Sequence, residues 1–305
     1  MAIYKIGQSL DIIKEISFKY EKEIQILVEK NLETLLHLEF IRSEFPLNNF
    51  RIDTLAFDTE NKSFVIIEYK RDKNFSVIDQ GYAYLSLMLN NKADFILEFN
   101  ETQETTLKRK DVDWTQSKVI FISPIFTNYQ KEAINFKDLP IELWEIKQFE
   151  NQTILFEQIL KTSAQESIKT ISRNNEAVEI VSKEVKVYTE QDHLEKADFE
   201  TRELYEEVQE RLIGLDDNVT IQPKKQTLGF KVDNNIFCDI ILQRKELKIY
   251  VNLKSGELQD QKQIARDVSN VGHWGNGAYE IKLGDLDDID YVVSLLKQSL
   301  RKNKE

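Results

Sequence analysis

The sequence predicts an α/β protein in two parts: a mixed sheet flanked by helices at residues 1–160, and a smaller α+β domain with an antiparallel sheet at residues 193–305. Three observations support this prediction. Helical and strand periods alternate through the first 160 residues, which is typical of helices packed on a mixed sheet. A polar connector at 161–192 has no aromatic residue before Tyr188. Beyond it, several strand patterns follow one another between two helical patterns, which indicates an antiparallel sheet.

The helices and strands of the first domain are predicted from the spacing of their apolar residues. Apolar residues near helical spacing predict an amphipathic helix at 17–38. Two β-rich runs at 49–58 and 62–71, joined by the turn-like Asp58–Asn61, predict a hairpin. A second helical pattern covers 77–90. Short strand-like runs complete the sheet at 94–98, 118–122, 141–146 and 153–157.

The second domain starts with a long helix that ends near residue 214. A closing helix is predicted at 287–301. Between them, strand patterns occupy 218–222, 226–232, 235–243, 246–253 and 278–283.

The charge balance limits how the chain can contact nucleic acid. Its 305 residues carry 53 acidic and 41 basic side chains, a formal net charge of −12. Residues 1–160 hold 19 basic and 26 acidic side chains, and residues 161–305 hold 22 and 27, so both parts are acidic. Phosphate binding needs clustered Lys and Arg. A nucleic-acid contact therefore requires a local basic patch, or a metal ion that offsets carboxylates.

Other compositional features exclude several classes of protein. No apolar run reaches the roughly 20 residues that span a bilayer, and the N-terminus lacks an apolar signal segment. We therefore expect a cytoplasmic protein without membrane contact. The single cysteine, Cys238, excludes a disulfide framework and a multi-cysteine zinc site. Its place in a strand pattern predicts a buried small side chain.

The predicted hairpin carries the pattern with the most chemical content. Strand alternation places Glu68 and Lys70 on one face. If the turn centres near residues 60–61, Asp53 lies opposite Glu68 within one register step. Facing carboxylates repel each other, and a hard cation such as Mg²⁺, which takes carboxylates, waters and substrate phosphate, removes that conflict. Lys70 could then orient an attacking water or stabilise charge on phosphate. A solvated sheet edge is the alternative interpretation.

These residues also resemble a known family. Asp53, followed by Glu68-Tyr69-Lys70 at the end of an apolar strand, resembles the D…(D/E)xK signature of the PD-(D/E)xK nuclease superfamily, in its RecB-like and tRNA-endonuclease-like branch. The proline of that signature is absent, since Ile52 precedes Asp53. Gln80 and Tyr84 resemble the Gln-x-x-x-Tyr helical motif of the branch.

The resemblance covers residues 15–100 and implies a restriction-endonuclease-like sheet. It also implies that Asp53 and Glu68 hold Mg²⁺ or Mn²⁺, that Lys70 acts on the attacking water, and that Gln80 supports the site. Members of the branch carry a further glutamate in the preceding helix. Glu21 is the first choice for this ligand by its distance from Asp53. Three other helix glutamates stay open: Glu23, Glu29 and Glu33.

The implied reaction is hydrolysis of phosphodiester bonds in DNA, with single-stranded or branched DNA as candidate substrates. Arg71, Lys73 and Tyr84 are the predicted nucleic-acid contacts. Residues 193–305 resemble a small uncharacterised domain found in bacterial proteins of unknown function. Two alternatives stay open: a nucleic-acid-binding or regulatory protein that keeps the fold without turnover, and a protein-interaction role for the C-terminal domain. A homodimer is compatible with each.

Two further sequence patterns give weaker predictions of function. Lys108–Lys110 near Trp114 predicts either a solvent loop or a stacking site for a single strand. The glycine-rich segment 272–277 predicts a tight loop, with His273 and Trp274 as candidates for a ligand or partner contact.

Overall fold

The computed structural model describes residues 2–71, 75–136, 138–160, 167 and 176–304. The chain divides into two compact units, Met1–Val187 and Tyr188–Glu305. The predicted boundaries at 160 and 193 stay predictions, because much of the predicted connector lies outside the described residues. Within the described ranges, no helix is long and apolar enough to cross a membrane.

The first unit is built on a seven-stranded mixed sheet and a separate two-stranded hairpin. The strands are β1 (Ile3–Ile6), β2 (Leu10–Ile13), β3 (Glu15–Ile16), β4 (Glu39–Leu47), β5 (Phe50–Asp58), β6 (Ser63–Tyr69), β7 (Lys118–Ser123), β8 (Ile141–Phe149) and β9 (Ile154–Ile159). β4, β5 and β6 pair antiparallel, and β6, β7 and β8 pair parallel. β3 and β9 both pair antiparallel with β8. The predicted mixed sheet is confirmed.

Helices cover both faces of this sheet. They are α1 (Glu21–Glu29), α2 (Leu32–Leu36), α3 (Val77–Asn90), α4 (Lys92–Thr102), α5 (Asn128–Ala133) and α6 (Glu176–Glu184). Because side chains alternate along a strand, Val65 and Ile67 of β6 pack with α1, whereas Phe64 and Ile66 pack with α3 and α4. The β5–β6 hairpin is therefore buried on both faces, and its end is held rigidly.

Two sequence predictions in this unit are wrong, and the strand β4 was missed. The predicted helix 17–38 is two helices, α1 and α2, and His37 after α2 has a positive φ of 54°. The predicted strand 94–98 lies inside α4, because Phe95 and Phe99, four residues apart, share one buried helix face. β4 was not predicted, since its charges and Pro46 hide the strand alternation.

α3 is placed against the sheet by two local features. Its first turn is capped by Ser76, whose hydroxyl accepts a hydrogen bond from the Asp79 N–H. Gly81 permits close contact with β8, because a Cβ at this position would lie 2.4 Å from Ile141 Cδ1. The flanking residues Gln80 and Tyr84 are thereby fixed close to the sheet.

The second unit has an antiparallel sheet, as predicted, with six strands where five were predicted. Its helices are α7 (Glu190–Leu194), α8 (Phe199–Ile213) and α9 (Ile289–Lys304). Its strands are β10 (Thr220–Pro223), β11 (Leu228–Val232), β12 (Asn235–Leu242), β13 (Leu247–Val251), β14 (Arg266–Asp267) and β15 (Tyr279–Leu283). α8 and α9 pack on one face. Cys238 is fully buried in this core, as predicted.

The predicted glycine-rich loop is fixed on this second sheet. The buried carboxylate of Asp239 accepts hydrogen bonds from both the backbone N–H and the side-chain amide of Asn276, each at 2.8 Å. Gly277 has a φ of +86°, and a Cβ there would lie 2.1 Å from a backbone oxygen. The His273 ring stacks on Tyr250 with centroids 5.0 Å apart. A ligand or partner contact by His273 or Trp274 stays a prediction.

Candidate active site

Asp53 and Glu68 lie side by side where β5 and β6 diverge. The register pairs Thr54 with Ile67, which places Asp53 opposite Glu68, as the turn position predicted. Each carboxylate accepts a backbone hydrogen bond from the other strand: Asp53 N–H donates to Glu68 Oε1 at 3.2 Å, and Tyr69 N–H donates to Asp53 Oδ2 at 3.1 Å. At this point the two carboxylates accept the backbone N–H groups that would otherwise bond to carbonyls of the opposite strand. These charge-assisted hydrogen bonds offset part of the repulsion between the two carboxylates.

Burial dominates the electrostatics of the pair. The Glu68 side chain is only 2% exposed, and burial, with a smaller contribution from the Asp53 charge, raises its pKa to about 7. Burial also raises the pKa of Asp53, although the Tyr69 N–H and Lys70 oppose that shift. Lys70 Nζ lies 3.4 Å from Glu68 Oε2. The site therefore contains two carboxyl groups that bind protons more tightly than usual, with one cation beside them.

Tyr84 and Gln80 approach the site from α3. Burial, followed by the nearby charge of Glu68, raises the pKa of the Tyr84 hydroxyl, which lies close to the Glu68 carboxylate. Gln80 lies one turn earlier on the same helix face, and among the described residues its buried Oε1 has no hydrogen-bond partner. Gln80 therefore retains an acceptor that a bound water or substrate group could use. Tyr84 lies at the site, and its predicted contact with nucleic acid stays a prediction.

The four candidate glutamates differ in what they contact. Glu21 Oε1 accepts the Arg71 N–H at 2.9 Å, just after Lys70. Glu23 Oε2 accepts the Lys19 N–H at 2.7 Å. Glu29 accepts the Thr54 hydroxyl at 2.6 Å, and Glu33 lies in α2. The negative charge of Glu21 contributes to the raised pKa of Asp53.

The donor set fits a hard divalent cation with few protein ligands. Asp53 and Glu68 supply two carboxylates, and one oxygen of each is held by the backbone. Mg²⁺ typically takes one or two carboxylates and keeps several waters. Across the described ranges, no group of three or more His, Cys, Asp or Glu side chains has metal-binding geometry. Glu21 stays a predicted further ligand, either directly or through water.

The predicted basic contacts are only partly described. The Arg71 guanidinium donates to the Lys19 carbonyl at 2.7 Å, and Arg71 itself is exposed. Lys73 lies outside the described residues. Trp114 is buried and stacks on Phe64 at 5.4 Å, so the proposed stacking of a single strand on Trp114 is wrong.

The sequence analysis missed Gln25. This α1 residue is 3% exposed, and its Nε2 donates to the Asp53 carbonyl at 2.8 Å and to Ser43 Oγ at 3.1 Å. It thereby ties α1 to the strand that carries Asp53. The available signal was a glutamine between buried residues Ile24 and Val28 on an amphipathic helix.

Comparisons with known proteins identify a family and several distant structures. Residues 190–302 match a family described as "Domain of unknown function (DUF5655)". An uncharacterized protein of Haemophilus influenzae is 52% identical over 298 residues, which cover 97% of this chain and 98% of the relative.

Three solved structures align at low similarity. A structure of an EndoMS–dsDNA2 complex has 13% identity, covers 48% of this chain and has a TM-score of 0.28. A repair endonuclease from Pyrococcus abyssi has 15% identity, covers 44% and has a TM-score of 0.23. Pyrococcus furiosus SfsA in complex with Ca²⁺ has 14% identity, covers 52% of this chain and 75% of that structure, and has a TM-score of 0.27. The chain spans 64% and 60% of the first two structures. These TM-scores are too low to indicate an activity, so a functional proposal depends on the geometry of the site.

Proposed function

This chain belongs to the same family as the uncharacterized Haemophilus influenzae protein, and we propose that it is a metal-dependent nuclease that hydrolyses phosphodiester bonds in DNA. One observation carries the proposal. Asp53 and Glu68 are paired at the end of a buried hairpin, with the Lys70 ammonium 3.4 Å from Glu68. Two carboxylates and a lysine in this order match the chemistry that metal-assisted phosphate hydrolysis requires.

Each residue has a distinct role in this proposal. Asp53 and Glu68 hold Mg²⁺ or Mn²⁺, which when bound supplies a Lewis acid and lowers the pKa of a coordinated water. Lys70 orients the attacking water and stabilises the negative charge that develops on the phosphate oxygens. Glu21 binds and orients a water near Arg71. Gln80 uses its free acceptor to position a water or a substrate group.

The decisive experiment is a cleavage assay on labelled single-stranded, duplex and branched oligonucleotides with Mg²⁺ or Mn²⁺. We expect Glu68→Gln and Lys70→Met each to lower the cleavage rate by about a hundredfold or more, the scale of one lost catalytic group. Glu280→Gln, which changes a buried glutamate in the second unit, is the matched control and should leave the rate unchanged. Equal rates for Glu68→Gln and wild type contradict the assignment.

One observation favours a second candidate, a nucleic-acid-binding or regulatory protein without turnover. Asp53 and Glu68 each use one carboxylate oxygen to accept a backbone hydrogen bond across the hairpin, which is a structural role that needs no metal. This alternative predicts that the protein binds oligonucleotides and leaves them intact at every metal concentration. The same assay, with intact and bound DNA separated on native gels, distinguishes the two functions.

A further inference from the structure

A network of three charged residues lies directly beside the carboxylate pair. Glu44 on β4 is opposite Asp53 on β5, because the flanking pairs are Ser43 with Thr54 and Phe45 with Ile52. Glu44 Oε1 lies 2.7 Å from Lys22 Nζ, and its Oε2 lies 2.7 Å from Arg51 Nε. One carboxylate therefore brings together two cations from separate elements.

Buried contacts fix this network relative to Asp53. Lys22 Nζ also donates to Gln25 Oε1 at 3.0 Å, and Gln25 in turn holds the Asp53 carbonyl. Arg51 lies two residues before Asp53 on the same strand. Glu44 has a φ of 54°, in the left-handed region that residues other than glycine rarely adopt. The position of the two cations beside the site is thus built into the fold.

The two cations remain open to solvent although they are paired. The side chains of Lys22 and Arg51 are 51% and 70% exposed. Exposed ion pairs are weak, since water and salt screen them, and a second anion can therefore displace Glu44. Guanidinium and ammonium groups bind phosphate with charge-assisted hydrogen bonds. In a chain of net charge −12, such a local basic pair is what a polyanion needs in order to approach the carboxylates.

We propose that Lys22 and Arg51 form a binding site for a backbone phosphate next to the reacting one, and that Glu44 is its internal counter-ion. Nucleic acid displaces Glu44 from the two cations when it binds. The identity of the ligand as a nucleic acid rests on the proposed function, and the binding step itself needs no metal and no cleavage.

Fluorescence anisotropy with labelled single-stranded and duplex oligonucleotides tests the proposal in EDTA, where metal-dependent cleavage is blocked. We expect Lys22→Gln and Arg51→Gln each to weaken binding about tenfold at low salt, the scale of one hydrogen bond to a charged group. Each should also reduce the salt slope by about 0.9 on duplex and about 0.7 on single strands, because one fewer phosphate is neutralised. Glu44→Gln should tighten binding, since it removes a competing and repelling charge.

The second unit supplies a matched control. Lys282 on β15 and Glu246, just before β13, form an exposed ion pair of 3.0 Å with side chains 59% and 32% exposed. These fractions are close to the 51% and 31% of Lys22 and Glu44. Lys282→Gln and Glu246→Gln should leave affinity and slope unchanged. Thermal melts check that all variants fold.

The outcomes separate this inference from the proposed function. The phosphate site is overturned if wild type binds with the same salt slope as both cation variants, if wild type does not bind, or if Glu44→Gln binds more weakly. Reduced slopes in the two variants, together with no cleavage by wild type in Mn²⁺, overturn only the nuclease assignment. Cleavage by wild type with unchanged slopes overturns only the phosphate site.

Discussion

At the scale of single residues, Glu68 illustrates how a fold can keep two carboxylates together. One oxygen of each carboxylate, in Asp53 and in Glu68, accepts a hydrogen bond from a backbone N–H of the opposite strand. This N–H takes the place of a water molecule. These bonds stabilise the charged forms, but the loss of hydration is larger, and the pKa of Glu68 is raised to about 7. The two buried carboxylates therefore repel each other when both are ionised, and a bound divalent cation would remove this repulsion.

The raised pKa of Glu68 predicts a pH-dependent stability in the absence of metal. Between about 4.5 and about 7 the folded protein retains a proton that the unfolded chain releases. The free energy of unfolding should thus fall as pH rises through this window, by about 3 kcal/mol for Glu68 alone. Urea denaturation in EDTA at several pH values measures it. Glu68→Gln should lose the Glu68 part of this dependence and keep the part that the raised pKa of Asp53 contributes. An equal pH dependence in wild type and variant contradicts the assigned pKa.

At the scale of elements, local patterns predicted the hairpin and missed its supports. The β5–β6 pairing followed from strand alternation and a short turn, both encoded within 23 consecutive residues, 49–71. α4 was taken for a strand because a short apolar run fits either period until packing selects one. Gln25 and Glu44 escaped prediction for a different reason. Their roles arise from contacts with Asp53, Lys22 and Arg51 that only the folded sheet creates.

The contact of α3 with β8 gives a prediction at this scale. Gly81→Ala should destabilise the first unit by about 1–3 kcal/mol, the usual cost of overpacking, because its Cβ meets Ile141 Cδ1 and Cγ1 at 2.4 and 2.9 Å. Ile141→Val removes Cδ1, so the double variant should recover part of that loss. Gly284→Ala, where a Cβ meets nothing within 4 Å, is the control. Additive effects of the Gly81 and Ile141 substitutions in a double-mutant cycle would falsify this steric account.

At the scale of the whole molecule, charge and chemistry are distributed unevenly. The net charge of −12 opposes nonspecific binding of a polyanion, while Lys22, Arg51, Lys70 and Arg71 all lie within a few residues of Asp53, Glu68 or Glu21. If the proposed function holds, the basic residues beside the site direct nucleic acid to the carboxylates. The sequence indicated the need for such a patch and predicted Lys70 and Arg71 beside the site, but it did not predict Lys22 and Arg51, which α1 and β5 contribute.

The division into two units gives the last prediction. Each unit has its own sheet and its own buried core, and the residues that would hold a metal all belong to Met1–Val187. Mn²⁺ should therefore raise the melting temperature of the first unit only, with a gain that grows as the logarithm of free metal above the dissociation constant. Calorimetry of the full chain and of a fragment covering 188–305 measures this. The fragment should unfold cooperatively and show no response to metal.

The variant Asp53→Asn keeps the side-chain shape and removes one ligand charge, so the full-length variant should lose most of the gain in melting temperature. In EDTA it should melt at or above the wild-type temperature, because the repulsion between the paired carboxylates is gone. A metal response that survives Asp53→Asn, or that appears in the fragment, places the metal elsewhere and removes the basis for a site at this hairpin.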